Sequence, residues 1–444
     1  MVTNKKVLVL GMARSGYEAA KLLAPDNEVF VTDVREQDSK KVKELEDLGV
    51  KVIITDQAQD LIDNTFNLMV KNPGIKYDNL AVVKAKDLGI EVVNEMELAF
   101  SYMKPNVKVI GVTGSNGKTT TSTLIYKILK EEYPNTYFGG NVGLPLCNFV
   151  KSIKDDDFLV LEISDHQLCD MYKFKTNVSV LLNVTEAHTD FHDSHERYMM
   201  MKKRIFNNHK TDDYNIINFD NEEAMMISEG IVGKNLYFSK DNKQYVYLKN
   251  GIIYYGDEKV IDCSDILIKG IHNYENVMAA VAAVKIYNVS NDAIIKVLKS
   301  FKGVEHRIEY VNTIEGVKYY NDSKSTNNEA TITALRCFGQ PTLLIMGGSD
   351  RGQSFDELDK YIKNVKLVVC YGETKEKIYN YFTKKKIECL VFNNLKEATI
   401  ACHDRAVSGD VVLLSPGCAS WDQFDKFETR GMLFKEIVNE FGDE

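Results

Sequence analysis

Short apolar segments recur along the whole chain, and most are followed by a polar turn and then by residues with helical spacing. The clearest case begins at residues 108–112, where Lys-Val-Ile-Gly-Val predicts a buried strand. After the next turn, apolar residues recur with the i, i+1, i+4, i+5 spacing of one helix face, at Leu124, Ile125, Ile128 and Leu129. Strands that alternate with helices predict an α/β protein with parallel sheets.

The same alternation predicts three domains. Residues 5–10 and 28–32 predict strands around a helix, and strands also recur from residue 316 to residue 414. Pro105 and Asn106 resemble a linker, and a second boundary falls near 303–307. We therefore expect domains at 1–104, 105–303 and 304–444, the first and third Rossmann-like and the central one a P-loop ATPase domain with a parallel sheet. Residues 210–268 predict a β-rich insertion to which no chemistry is assigned.

Composition narrows the class of protein. The 444 residues are 44% hydrophobic and 27% charged, as in ordinary globular proteins. The net charge of −9, with dispersed Lys and Arg, argues against nucleic acid or an anionic membrane as a partner. No apolar run approaches the roughly 18 residues of a membrane span. The eight cysteines form no CxxC pair, so we expect reduced thiols and a cytoplasmic protein.

The turn at Gly111–Thr120 predicts a phosphate-binding loop. It lies between a strand and a helix, its glycines allow backbone N–H groups to face an anion, and the helix N-terminus favours negative charge. Lys118 would reach the outer phosphates and Thr119 would ligate Mg²⁺. The first glycine, Gly111, lies one residue earlier than in the common spacing. The alternative is a Gly-rich turn with a surface lysine.

Polar residues follow the next two strands. Glu162 ends an apolar strand and is a candidate Mg²⁺ ligand, with a buried ion pair as the alternative. His188 follows the strand at 177–183, and His192 and His195 continue an i, i+4, i+7 spacing that would suit zinc on a helix. Turn signals oppose a continuous helix there, which favours a single functional histidine, His188. Asn141, in a Gly-rich turn, either faces a ligand or belongs to a plain turn.

Two further regions carry weaker signals. Gly11–Gly16, followed by Asp33, resembles a dinucleotide-binding fingerprint, but Ala13 replaces the middle glycine and would hinder a pyrophosphate. A nucleotide or nucleotide-sugar phosphate at this helix remains compatible. Near residue 202, the apolar spacing places Lys202 and its basic neighbours on a solvated helix face. In the last third, polar residues at strand ends predict one rim of a parallel sheet, at Asp322, Ser323, Lys324, Thr326, Arg351, Ser415 and Ser420.

Taken together, these motifs resemble the ATP-dependent Mur ligases of peptidoglycan synthesis. The resemblance covers the whole chain in order and spacing, through the loop at 111–120, Glu162, the segment ending at His188, the helix with Lys202, His272-Asn273, His306-Arg307 and Asn321-Asp322-Ser323-Lys324. The segments 322–327 and 414–424 are most similar to the branch that adds D-glutamate.

The resemblance implies substrates, cofactors and residue roles. The cofactors would be ATP, Mg²⁺ at two sites and a carbamate on Lys202. The substrates would be UDP-N-acetylmuramoyl-L-alanine and D-glutamate, and the protein would be a monomer. The catalytic residues would be Lys118, Glu162, His188 and Lys202. ATP would be held by Gly114, Asn116, Gly117, Lys118, Thr119, Thr120, Asn273, Arg307, Asp322 and Lys324. The UDP-sugar would be held by Arg14, Ser15, Asp33, Arg35, Asn72, Gly74 and Asn141. D-glutamate would contact Thr326, Arg351, Ser420 and Phe427, and the metal would contact Thr119, Glu162, His188 and the carbamate of Lys202.

Two departures from the family pattern stand out. Asp165-His166 replaces an expected Ser-Phe after the Glu162 strand, and Arg351 stands where some members have Lys. A sibling ligase with another amino acid, or a folylpolyglutamate synthase, is the nearest alternative. An NAD(P)-dependent oxidoreductase would leave Lys118 and Asp322 unexplained, and a non-catalytic ATP-binding module would leave the metal residues unexplained.

Overall fold

The structure, a computed structural model, describes residues 1–185 and 189–442. It confirms the α/β class, with parallel-rich sheets in three regions. The first sheet has the order β3-β2-β1-β4-β5 and is entirely parallel. Its strands are β1 Lys6–Leu10, β2 Glu28–Asp33, β3 Lys51–Ile54, β4 Leu68–Lys71 and β5 Glu91–Val93. Its helices are α1 Arg14–Leu23, α2 Ser39–Asp47, α3 Leu80–Asp87 and α4 Glu95–Phe100.

The central sheet has nine strands in the order β14-β13-β12-β11-β10-β9-β6-β8-β7. They are β6 Lys108–Thr113, β7 Thr136–Gly140, β8 Phe158–Glu162, β9 Val178–Leu181, β10 Tyr214–Asn218, β11 Lys234–Ser239, β12 Val246–Lys249, β13 Ile252–Tyr255 and β14 Glu258–Asp262. Only β12–β14 pair antiparallel. The β-rich segment predicted at 210–268 thus extends the central sheet from β9 outward.

The helices of this region lie between and after its strands. They are α5 Lys118–Glu132, α6 Leu146–Phe149, α7 Asp165–Leu168, α8 Thr189–His192, α9 His195–Lys203, α10 Glu222–Ile227, α11 Ile271–Lys285 and α12 Asn291–Ser300. β6 and β8 are buried along most of their length, which explains their continuous apolar runs.

The third sheet has the order β15-β16-β20-β17-β18-β19 and is parallel except for the β15–β16 pair. Its strands are β15 Glu309–Ile314, β16 Val317–Asn321, β17 Thr342–Gly347, β18 Val365–Tyr371, β19 Glu388–Val391 and β20 Val411–Leu414. Its helices are α13 Asn328–Leu335, α14 Lys375–Lys384, α15 Leu395–Arg405 and α16 Phe427–Glu440. Apolar clusters cover both faces of this sheet.

Contacts divide the chain into two compact units. The first comprises Met1–Asp265 and Ile271–Lys299, and the second comprises Ile266–Gly270 and Ser300–Glu444. In the first unit, one buried apolar cluster includes residues of both the first and the central sheet, such as Val7 and Leu161. The eight cysteines are all free. Within the part of the chain that the structure describes, no helix has the length and apolar character needed to cross a bilayer.

Candidate active site

The predicted phosphate-binding loop connects β6 to α5, as the sequence indicates. Gly117 has a φ of +84°, and a Cβ there would lie 2.2 Å from the Asn276 side-chain oxygen, so glycine is required. Asn183 fixes the loop from β9: its carbonyl accepts from the Ser115 N–H at 2.9 Å and its side chain accepts from the Asn116 N–H at 2.8 Å. The loop is therefore rigidly held at the N-terminus of a fifteen-residue helix, where an anion is favoured.

Two lysines converge on this loop. The Lys118 ammonium donates to the carbonyls of Gly114 and Ser115, at 2.7 and 2.9 Å. Lys202 Nζ donates to the same Gly114 carbonyl at 3.0 Å and is fully buried. Burial, and secondarily the Lys118 charge, lowers the pKa of Lys202 to about 7, although Asp165 opposes this shift.

The solvated face predicted for Lys202 from the helical pattern is therefore wrong. The reason is tertiary: α7 packs against α9 and covers Lys202. Asp165, at the first position of α7, lies 3.8 Å from Lys202 Nζ.

Glu162 has the features of a cation ligand. Its side chain is 1% exposed, and its Oε1 accepts from the Asn141 side chain at 2.7 Å. Its Oε2 is buried and has no hydrogen-bond partner among the described residues. Val112, just before the loop, is its register partner on β6. A buried carboxylate oxygen without a partner is costly, and carboxylates are preferred ligands of Mg²⁺, so the residues present fit that ion.

Asp165 forms a buried cluster that the sequence did not predict. His192 Nε2 lies 2.7 Å and His166 Nδ1 lies 3.2 Å from Asp165 Oδ2. Burial alone raises the pKa of Asp165, but the hydrogen bonds from His166 and His192 and the Lys202 charge hold it far below its usual range. The Asp165-His166 departure from the family pattern was the one available signal.

His192 and His195 have separate environments. His195 Nε2 lies 2.9 Å from Glu223 Oε1, whereas His192 pairs with Asp165. His188 lies outside the described residues. No group of three or more His, Cys, Asp and Glu side chains that could bind a metal occurs within 1–185 and 189–442.

The UDP-sugar candidates of the first sheet lie at the carboxyl ends of β1, β2 and β4. Asp33 accepts from the backbone N–H groups of Met12 and Arg35, at 2.7 and 3.1 Å. Asn72 donates to the Ser15 hydroxyl at 3.3 Å and accepts from the Gly74 N–H at 3.1 Å. Hydrogen bonds thus connect the candidates within two groups at this edge.

Another UDP-sugar candidate, Arg14, contacts a loop of the central region. The exposed Arg14 donates to the Gly143 carbonyl, in the turn that also contains Asn141. The first-sheet candidates and Asn141 are therefore linked through two neighbouring loops.

The ATP candidates fall into two groups. In the first unit, Asn273 on α11 accepts from the Asn276 side chain at 3.3 Å, and Asn276 packs against Gly117. In the second unit, Asp322 is buried and accepts from Ser415 Oγ at 2.8 Å. Burial raises the pKa of Asp322 to about 6, against hydrogen bonds from Ser325 and Ser415. Arg307, also in the second unit, is exposed, and Lys324 Nζ lies 5.4 Å from the centre of the Phe427 ring.

The D-glutamate candidates come from separate segments of the second unit. Thr326 follows β16, Ser420 follows β20, and Phe427 begins α16. Arg351 is exposed and stacks over the Trp421 ring, 4.3 Å from its centre. An isolated bridge between Ser349 and Ala419 holds the loops of Arg351 and Ser420 side by side. These candidates occupy the carboxyl edge of the third sheet, as the rim pattern predicts.

Comparison with known proteins identifies the family. The Mur ligase middle domain matches residues 112–284, and the glutamate ligase domain of Mur ligases matches residues 306–418. The UDP-N-acetylmuramoylalanine–D-glutamate ligase of Geobacillus sp. (strain WCH70) is 42% identical over 442 residues, 98% of both chains. The chain belongs to the Mur ligase family. The identically named protein of Bacillus cereus (strain 03BB102) is 41% identical to this Mur ligase over 441 residues, again 98% of both chains.

Solved structures support the fold of this Mur ligase. UDP-N-acetylmuramate-alanine ligase MurC from Thermotoga maritima superposes with a TM-score of 0.60 at 16% identity, over 98% of this chain and 100% of that chain. The MurF ligase from Thermotoga maritima in complex with ADP gives 0.57 at 19% identity, over 99% and 96%. Mur ligases are ATP-dependent, which agrees with the phosphate-binding loop of this member.

Proposed function

We propose that this Mur ligase joins D-glutamate to UDP-N-acetylmuramoyl-L-alanine with hydrolysis of ATP to ADP and phosphate, in the synthesis of peptidoglycan precursors. The observation that carries the proposal is the edge of the central sheet, where Lys118, Glu162 and Lys202 surround one rigid loop. The choice of D-glutamate is supported by relatives named UDP-N-acetylmuramoylalanine–D-glutamate ligase, which align over 98% of the chain.

The proposed residue roles follow the three groups of candidates. The phosphate-binding loop, Asn273, Arg307, Asp322 and Lys324 would bind ATP. The first-sheet residues and Asn141 would bind the UDP-sugar, and Thr326, Arg351, Ser420 and Phe427 would bind D-glutamate. Domain 1–104 would supply the UDP-sugar residues other than Asn141, domain 105–303 would supply Asn141, Asn273 and the phosphate-binding loop, and domain 304–444 would supply the remaining ATP residues and the D-glutamate residues. We also propose a cytoplasmic monomer.

The first chemical step activates a carboxylate. The alanyl carboxylate attacks the γ-phosphorus of ATP, ADP leaves, and an acyl phosphate forms. Negative charge on the transferred phosphoryl group is stabilised by the Lys118 ammonium and by the backbone N–H groups at the start of α5. The loop contacts of Asn183 hold these donors in place before the reaction, so little reorganisation is needed.

The second step forms the amide bond. The D-glutamate amine attacks the acyl carbon, and a tetrahedral intermediate expels phosphate. The ammonium form of D-glutamate releases a proton to solvent before the attack. His188, which lies outside the described residues, would place the substrate or bind the metal. Because water would hydrolyse the acyl phosphate, the residues around it must also exclude solvent.

Glu162, Thr119, His188 and a carbamylated Lys202 would hold Mg²⁺ at two sites. The ion would supply charge neutralisation of the phosphate oxygens. A carbamate forms when a neutral amine adds CO₂, and burial keeps the pKa of Lys202 near 7, so a substantial neutral fraction exists at physiological pH. An ammonium could not ligate a cation, whereas a carbamate offers two oxygens.

The decisive experiment measures ADP and phosphate release with UDP-N-acetylmuramoyl-L-alanine, with and without D-glutamate. We expect turnover that requires both substrates, and loss of turnover in Lys118→Ala. A panel of other amino acids tests specificity: preference for L-lysine or L-glutamate would replace this proposal with a sibling ligase. Tight NADH binding without ligation would instead favour an oxidoreductase.

A further inference from the structure

Arg430, on α16, is a buried cation that pairs with no carboxylate of the described residues. Its side chain is completely buried, and it is the largest such side chain in the described part of the chain. Among residues 1–185 and 189–442, no carboxylate forms an ion pair with its guanidinium; the acceptors are neutral oxygens. A buried charge without a counter-charge is costly. Its presence here therefore calls for a structural or functional explanation.

The acceptors belong to three different loops. Nε donates to Ser323 Oγ at 3.0 Å and Nη2 to the Ser323 carbonyl at 2.7 Å, after β16. Nη1 donates to the Cys418 carbonyl at 3.1 Å, after β20, and to the Gly347 carbonyl at 3.4 Å, at the end of β17. The planar guanidinium, with its fixed donor directions, thus joins the carboxyl ends of three strands.

Each joined segment carries one proposed D-glutamate contact. Thr326 lies three residues after Ser323, Arg351 four residues after Gly347, and Ser420 two residues after Cys418. The fourth contact, Phe427, lies one helical turn before Arg430, and its carbonyl accepts from Ser323 Oγ at 2.8 Å. One buried side chain therefore connects all four segments of the proposed amino-acid site.

We propose that Arg430 is a positioning residue that sets the geometry of the D-glutamate site, and that its unneutralised charge helps the site to accept a dicarboxylic amino acid. The inference rests on the proposed function. Arg430 does not touch the substrate, since its donors are directed to the loops. It acts through the relative placement of Thr326, Arg351 and Ser420, together with the positive potential it adds beneath them.

Steady-state kinetics of the full-length chain test this role. In Arg430→Met we expect KM for D-glutamate to rise about 10- to 100-fold, because small misplacements of binding groups are costly. KM for UDP-N-acetylmuramoyl-L-alanine should change little, and acyl-phosphate formation without D-glutamate, detected by borohydride trapping, should persist. Arg430→Lys retains the charge but loses the planar set of guanidinium N–H donors, so we expect a smaller rise in KM for D-glutamate.

Matched controls separate positioning from folding. Arg405→Met removes an arginine of α15 that forms an exposed ion pair with Glu388 of β19, and it should leave every constant unchanged. If Arg430→Met does not fold, Ser323→Ala, which removes one acceptor, takes its place and should raise KM for D-glutamate selectively. A folded Arg430→Met or Ser323→Ala protein with the wild-type KM for D-glutamate would overturn the proposal. If wild type and Arg405→Met do not ligate D-glutamate at all, the proposed function fails instead.

Discussion

At the scale of single residues, the Gly114 carbonyl accepts from two lysines, Lys118 and Lys202. Two ammonium groups so close to each other repel, and Lys202 is the more deeply buried of the two. The neutral form of Lys202 is therefore favoured, in line with its lowered pKa. This arrangement supports the proposal that Lys202 reacts with CO₂.

We predict that Lys202→Ala lowers kcat by about 100-fold or more, because the proposed carbamate ligand of the metal is lost. Acetate or formate should restore part of the activity, since a small carboxylate can occupy the space of the carbamate. The neighbouring Lys203, which donates to the Glu229 carbonyl at the surface, provides the control: Lys203→Ala should retain full activity. Full activity of Lys202→Ala would refute the carbamate role.

Glu95 makes stability depend on pH. Its carboxyl group is almost fully buried, and burial raises its pKa from 4.5 to about 7, although the Cys147 N–H hydrogen bond opposes the shift. The folded state therefore holds a proton that the unfolded state releases near pH 4.5. This bound proton raises the free energy of unfolding. Its contribution is complete below pH 4.5, declines as the pH rises to about 7, and is absent above that.

We predict that Glu95→Gln increases the free energy of unfolding at pH 8 by on the order of 3 kcal/mol, an upper limit from the size of the shift. Near pH 4.5 the variant and the wild type should be equally stable. Urea unfolding of both proteins between pH 4.5 and 8 measures the difference. Glu91→Gln, at an exposed residue of β5, should show no such pH-dependent gain, and an equal gain there would contradict the assignment to Glu95.

At the scale of elements, the short helix α4 anchors a loop of the central region. The Glu97 carboxylate accepts from the backbone N–H groups of Tyr172, Lys173 and Phe174, at 3.0, 2.7 and 2.9 Å. Close by, Lys71 and Asp170 form a buried ion pair of 2.8 Å. Charged hydrogen bonds of this kind are strong, and losing them leaves the buried N–H group of Phe174 without its acceptor.

We predict that Glu97→Ala lowers the free energy of unfolding by about 1.5–3 kcal/mol, because three N–H groups lose a charged acceptor and one of them, that of Phe174, is buried. Urea denaturation followed by far-ultraviolet circular dichroism would measure the loss. Glu46→Ala, at an exposed position of α2, is the matched control and should change stability by less than about 0.5 kcal/mol. A comparable loss in both variants would argue against the special role of Glu97.

Elements set by local pattern were predictable, and features set by packing were not. The strand–loop–helix unit of β6 and α5 is confirmed because its apolar spacing, glycines and Lys118 are all local signals. Glu162 at the end of β8 follows from the same reasoning. The burial of Lys202 depends on α7, whose packing no periodicity reveals. Arg430 carried no sequence signal because its partners are three backbone carbonyls and the Ser323 hydroxyl of other segments.

At the scale of the whole molecule, each apolar cluster of the described residues lies within one of the two compact units. The clusters of the second unit cover the faces of the third sheet, with Leu344 completely buried in β17. The largest cluster of the first unit contains residues of the first and central sheets together. Cores that do not share residues can unfold in separate transitions.

We predict two transitions in calorimetric unfolding of the full-length chain. Leu344→Ala should lower one midpoint, at a cost of about 2–5 kcal/mol for a buried leucine, and should leave the other unchanged. Glu97→Ala should have the reverse effect. A shift of both transitions by either variant would show that the units unfold as one.

The shared core of the first two sheets also has an evolutionary consequence. Met96 on α4 and Leu146 on α6 belong to one buried cluster, and the two helices are in contact. A substitution that changes side-chain volume on one helix therefore creates a cavity or a clash at the other. Among relatives of this chain, residues at this seam should vary in compensating pairs. Replacing the first region by that of another family member would therefore require the residues of α6 that contact α4 to be replaced with it.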